Sequence, residues 1–250
     1  MDEERFSQAC QKIVCHNRER NKIGTLGEKT LHAVLKNYFE PDETKQEIRV
    51  GTYYADIFDG EAIIEIQTRQ FNKLREKLSI FLKEYPVTIV YPVPGQKRLY
   101  WLDQETGELS EGRLSPKKGT PYEICAELYK IKNYLRNPNL HFHILVLELD
   151  EYRFLNGWSR DKKRGSSRCD RIPKRIISEL CIATREDYKK LLPEKLPERF
   201  GSKELAKTAH ISRRLSQITL NILLETTIIQ RVGKNGNAWI YQREDKLSST

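Results

Sequence analysis

What this sequence lacks narrows its reading first. No uninterrupted apolar run approaches the roughly 18 residues that a membrane-crossing helix needs, so no membrane partner is expected. The opening segment, MDEERFSQAC, is charged and polar. No secretory leader is expected from it, and a soluble cytoplasmic chain is. No internal repeat and no low-complexity tract interrupts the sequence. The cysteines Cys10, Cys15, Cys125, Cys169 and Cys181 form an odd, scattered set, which argues for a reducing compartment. Cys10, Cys15 and His16 come nearest to a zinc set. Their Cys-x4-Cys spacing lacks a second ligand pair, so buried or idle thiols are the expectation.

What is present is a charged chain with enough apolar material for a core. Of the 250 residues, 38% are hydrophobic and 32% are charged, with a net charge of +9. A basic balance favours polyanionic partners. Its distribution says more than its sum. Residues 158–175 hold Arg160, Lys162, Lys163, Arg164, Arg168, Arg171, Lys174 and Arg175 against Asp161 and Asp170 alone, a balance of +6. Clustered cations in a loop gain affinity for DNA by releasing its counterions. The plain alternative is a solvated loop.

Hydrophobic periodicity gives an order of elements. A helix is expected from about Leu26 to Phe39, with Leu31, Val34, Leu35 and Tyr38 as its stripe and Pro41 as its stop. Strands follow near 46–50, 53–58 and 61–67, the last two joined at Asp59-Gly60, a strong hairpin signal. Residues 70–84 and 121–136 read as helices, 87–91 and 142–149 as strands, and 97–113 as a second hairpin. Helices are expected near 172–180 and 186–192. This order predicts an α/β fold with a mixed central sheet flanked by helices. The prolines and glycine of LPEKLPERFGS suggest a boundary. Residues 1–195 then form one domain, with a core of about 20–150, and 196–250 a second.

With Asp59-Gly60 as the loop, one hairpin face carries Ala55, Ile57, Ala62, Ile64 and Ile66. The other carries Asp56, Ile63, Glu65 and Gln67. In that register Asp56 and Glu65 are diagonal neighbours, roughly 7–8 Å apart at the backbone. Two carboxylates so placed can share a divalent cation, and magnesium prefers few carboxylates, several waters and a substrate phosphate. Glu28, at the edge of the first helix's stripe, is a third candidate acid.

Glu28 on a leading helix, Asp56 on one strand and Glu65-Ile66-Gln67 on the next resemble the PD-(D/E)xK nuclease superfamily, with its restriction-endonuclease-like fold. The resemblance covers roughly residues 20–150. It implies that Glu28, Asp56 and Glu65 bind Mg2+ or Mn2+, and that Gln67 stands where the family's water-activating lysine is usual. Ala55 also replaces the usual proline before the aspartate. An amide can orient a water but cannot supply a charge. Lys45, Arg49 and Arg69 are possible substitutes for the lysine.

The last 50 residues follow another plan. A short helix Lys203–Thr208 capped by Ser202, a break at Ala209-His210, a helix from Arg213 to Glu225 capped by Ser212, and a hairpin around Gly233–Asn237 resemble a winged helix-turn-helix. The resemblance implies DNA contacts from Ser212, Arg213, Arg214, Gln217 and Asn221 on the second helix and from Lys234 in the wing. Such modules also mediate protein contacts. From Glu198 to Lys246 nine basic residues face five acidic ones. The leading expectation is a metal-dependent DNA endonuclease, and symmetric cutting of double-stranded DNA would favour a homodimer. A non-cutting DNA-binding regulator with a degenerate nuclease fold is the alternative. RNA shares the electrostatics, but no aromatic-rich stacking motif favours single strands.

Overall fold

A computed structural model describes residues 2–19, 30–156 and 166–244, with backbone only for 15–19. Helix α1 (Glu3–Glu19) opens the chain, followed by α2 (Thr30–Phe39). Strands β1 (Gln46–Val50), β2 (Tyr53–Phe58) and β3 (Ile63–Ile66) come next, then α3 (Arg75–Phe81), β4 (Val87–Leu102) and β5 (Arg113–Leu114). The chain continues through α4 (Ile124–Leu128), β6 (Leu140–Phe154), β7 (Ser167–Ile182) and β8 (Arg199–Phe200). It ends with α5 (Ser202–Thr208), α6 (Arg213–Glu225), β9 (Ile229–Asn235) and β10 (Ala238–Arg243).

The fold is mixed α/β. Seven strands form one sheet in the order β1-β2-β3-β4-β6-β7, with β5 on β4, and β8-β10-β9 form a second sheet. Strands β1 and β2 are antiparallel, with Ile48 opposite Ala55. Strands β3 and β4 are parallel, from Ile63 opposite Val87 to Ile66 opposite Val90. A parallel pair needs a crossover, and the segment carrying α3 supplies it.

Several expectations need correction. Residues 172–180 belong to strand β7, not to a helix, and 167–175 are strand rather than loop. Ile172, Ile176 and Ile177 are β-branched and suit extended backbone. Ion pairs of Arg171, Lys174 and Arg175 with Glu151, Asp150 and Glu148 at 2.9, 3.0 and 2.6 Å tie β7 to β6. Strand β4 runs on through Pro92 and Pro94 instead of stopping at Pro92. A proline cannot donate but still accepts, and the Gly119 N–H bonds to the Pro94 carbonyl at 2.9 Å. The expected polar face of β3 is buried: Ile63 and Glu65 are as enclosed as Ile66, so both faces of that strand are covered. Helix α1 and strand β8 have no counterpart in the sequence-based expectation.

Contacts gather the chain into two compact units. The first comprises Met1–Asp59, Pro92–Thr120 and Leu145–Glu179. In it Phe6 of α1 meets Tyr38 of α2 edge to face at 5.3 Å, and Val34, Leu35, Ala55, Ile57, Leu145 and Leu147 are buried. Asp170 holds the start of α2, accepting from the Thr30 N–H at 3.3 Å and from its hydroxyl. The second unit comprises Gly60–Tyr91, Pro121–Ile144 and Leu180–Thr250. Its core holds Ile63, Phe71, Leu78, Phe81, Ile89, Ile124, Leu128 and Phe142. It also holds Phe200, Leu205, Leu220, Ile222 and Leu223, so the C-terminal helices belong to the core of this unit. Cys125, in that core, is fully buried, and desolvation pushes its thiol up to about 12. It is a buried thiol, as the sequence led one to expect.

Candidate nucleic-acid interface and buried acid

In the second unit, Glu65 is 2% exposed on β3. A carboxylate so enclosed needs a compensating charge. Lys77 of α3 provides it, with Nζ 2.7 Å from Oε2. The local sequence places Lys77 there. Gln70 adopts left-handed backbone (φ +64°), and the Phe71 N–H donates to Glu127 Oε2 at 2.9 Å, which fixes the turn into α3. Phe71, Leu74, Leu78 and Phe81 then bury one side of that segment. Gln67 donates through Nε2 to the Arg69 carbonyl at 2.5 Å. Lys77 is thus a cation beside Glu65 that the sequence-based reading did not nominate. Twelve positions separate the two, so no local motif announces the pair.

In the first unit, Asp56 of β2 is half-buried, with Oδ2 3.2 Å from His32 Nε2 of α2. Glu28 lies outside the described residues, as do Arg160, Lys162, Lys163 and Arg164. Arg168 is exposed on β7, whereas Arg171 turns to Glu151. Glu151 is 0% exposed and meets three cations: Arg153, Arg171 at 2.9 Å and Lys97 at 3.5 Å. Burial alone would raise its carboxyl, but Arg171, Arg153 and Lys97 outweigh it and hold the group down to about 2. Burial in turn lowers Lys97.

Asp56 and Glu65 offer oxygens of the kind magnesium takes, but each already contacts a basic side chain of its own unit. Among the described residues no three His, Cys, Asp or Glu side chains group to hold a metal ion.

One concave feature lies wholly in the second unit. It is a cleft of about 820 Å3 between α5, α6 and the β9–β10 hairpin. Ser212 caps α6, its hydroxyl accepting from the Leu215 N–H at 3.2 Å, as expected. Ser216 and Thr219 are fully buried, and the Ser216 hydroxyl donates to the Ser202 carbonyl at 2.7 Å, locking α5 to α6. The opposite face of α6 is polar. Arg213, Gln217 and Asn221 recur at i, i+4 and i+8, so they stack along one face. All three are exposed and line the cleft. Thirteen residues make α6 about 20 Å long. Arg199, Lys203 and Arg231 add cations to the lining. The acid there, Glu204, is partly engaged, accepting from the Gly201 N–H at 2.8 Å. Gly201, not Ser202, is the cap of α5.

Across the cleft the hairpin turns at Gly236-Asn237, with Gly236 at φ +58° and Ala238 opposite Asn235. Lys234 packs over the Trp239 ring at 4.3 Å, and Arg231 lies 4.5 Å from its centroid. Three of the expected DNA contacts, Arg213, Gln217 and Asn221, share the cleft lining; Ser212, Arg214 and Lys234 are outside it. The sequence-based reading missed Arg199, Lys203, Arg231 and Trp239. The i, i+2 spacing of Trp239 and Tyr241 on one hairpin strand was the available signal for the aromatic.

The geometry thus defines a mixed α/β protein with a cationic cleft at its C-terminal end. A family model described as a domain of unknown function, DUF8091, matches residues 29–183, and the chain belongs to that family. The matched region ends before the residues lining the cleft. The chain is also similar to an uncharacterized protein of Treponema pallidum (strain Nichols), 27% identical over 224 residues, covering 89% of this chain and 88% of that protein. No solved structure matches.

Proposed function

We propose that the protein binds DNA in the cleft between α6 and the β9–β10 hairpin, as a winged helix-turn-helix, and that its α/β part is a restriction-endonuclease-like domain that cuts the bound DNA. The observation that carries the binding is the cleft lining: Arg213, Gln217 and Asn221 in one row on α6, facing Arg231 across the cleft. B-DNA's major groove is about 12 Å wide and admits one helix. Gln217 and Asn221 can reach base edges there, while Arg199, Lys203 and Arg231 neutralise phosphates. The helix order α5–α6 followed by β9 and β10, with β8 joining them, agrees with this reading.

Cutting rests on the resemblance to the PD-(D/E)xK superfamily. It is supported by the order α2-β1-β2-β3-α3-β4, by parallel β3 and β4, and by Lys77 held at Glu65. Magnesium or manganese would supply Lewis-acid chemistry, with Glu28, Asp56 and Glu65 as the acids the resemblance nominates. The second reading, a DNA-binding regulator that does not cut, is favoured by Gln67, whose amide is tied to the Arg69 carbonyl. Supercoiled plasmid incubated with magnesium, manganese or EDTA separates the two. The endonuclease reading expects metal-dependent nicking or linearisation that Glu65→Gln and Asp56→Ala abolish without loss of binding. Binding with no cutting by the wild type, on any sequence offered, favours the regulator. No binding at low salt overturns both.

A further inference from the structure

The hairpin displays one large ring where solvent reaches it. Trp239 is 38% exposed, although so large an apolar surface gains most from burial. Its ring is not loose. The Arg231 guanidinium lies 4.5 Å and the Lys234 ammonium 4.3 Å from its centroid, and such cation–π contacts fix a ring's position. The ladder explains the grouping: Trp239 sits directly opposite Lys234, and Arg231 is opposite Tyr241. Trp239, Arg231 and Tyr241 line the same cleft as Gln217 and Asn221 of α6.

Inside a duplex each base is covered on both faces by its neighbours, so an indole finds no free base face. An unpaired base offers one. Aromatic stacking on such a base is tolerant of sequence, and the cations held over the ring suit the phosphates that flank the base. We propose, resting on the DNA-binding reading above, that Trp239 is a stacking site for an unpaired base. The cleft then prefers DNA in which a duplex adjoins a single-stranded tail. The sequence alone pointed away from this, because one tryptophan and one tyrosine in a hairpin are not an aromatic-rich motif. It is the folded hairpin that brings two cations to that ring at the edge of the cleft.

Fluorescence anisotropy of the full chain, in EDTA, with a blunt duplex and the same duplex carrying a single-stranded tail, tests it. The tailed duplex should bind on the order of tenfold more tightly. Trp239→Ala should bring the ratio of the two affinities close to one, and Trp239→Phe should restore part of it. Trp101→Phe, on β4 and outside the cleft, should keep the wild-type ratio. Equal wild-type affinities, or a ratio that survives Trp239→Ala, overturn the stacking site while leaving the DNA-binding reading standing. Failure to bind either duplex overturns that reading itself. Tighter binding of a tailed RNA duplex than of the tailed DNA overturns the assignment to DNA.

Discussion

Replacing Glu151 by glutamine removes one negative charge from among Lys97, Arg153 and Arg171 while keeping the side chain's shape. The carboxyl is held down to about 2 from an ordinary 4.5. Each unit of displacement corresponds to about 1.4 kcal/mol, so the ionised group contributes about 3 kcal/mol at neutral pH. The sign follows from the direction. A depressed carboxyl contributes fully above about 4.5 and loses its contribution as pH falls toward about 2. At pH 3 about 1 kcal/mol remains. Removing one partner of a buried ionic group costs a similar amount, about 3 kcal/mol, because the remaining cations then face one another. Urea unfolding of wild type and Glu151→Gln at pH 7 and pH 3 measures it. The variant should be less stable by about 3 kcal/mol at pH 7, with the gap narrowing at pH 3. A variant within half a kcal/mol of wild type at pH 7, or a gap that does not narrow with acid, refutes the electrostatic account.

Lys77→Met leaves the enclosed Glu65 carboxylate without its Lys77 cation and should cost about 3 kcal/mol. The double variant with Glu65→Leu should recover most of that loss in the same thermal or urea assay. Ser212→Ala removes the cap of α6 and should cost about 1 kcal/mol of stability, read as a lower urea midpoint. Arg213→Ala should weaken duplex binding. It should also reduce the slope of log affinity against log salt by about 0.9, as measured by anisotropy across a potassium chloride series.

The sequence was most legible where periodicity and local chemistry agree. The stripe Leu31, Val34, Leu35 and Tyr38, the strands at 46–50 and 53–58, and the Ser212 cap are present as expected. It was least legible where tertiary pairing decides. Residues 172–180 hold apolar positions that suit either a helix or a strand, and pairing in the sheet makes them β7. The expectation of a polar face on β3 failed because Glu65 looks solvated by type. Its burial depends on Lys77, twelve positions away on the next helix. Likewise Arg171 looked like a member of a basic loop until Glu151, 20 residues earlier, met it across the sheet. In the cleft, the i, i+4, i+8 row of Arg213, Gln217 and Asn221 could be read in advance. The contribution of Arg199 could not, because it comes from β8, a two-residue strand defined by its pairing with β10.

Ultraviolet crosslinking of the full chain to bromodeoxyuridine-substituted duplex DNA, followed by mass spectrometry of the linked peptides, tests the binding site most directly. The account predicts that crosslinks concentrate in peptides spanning residues 199–221 and 231–241. Crosslinks confined to peptides outside those segments would contradict it.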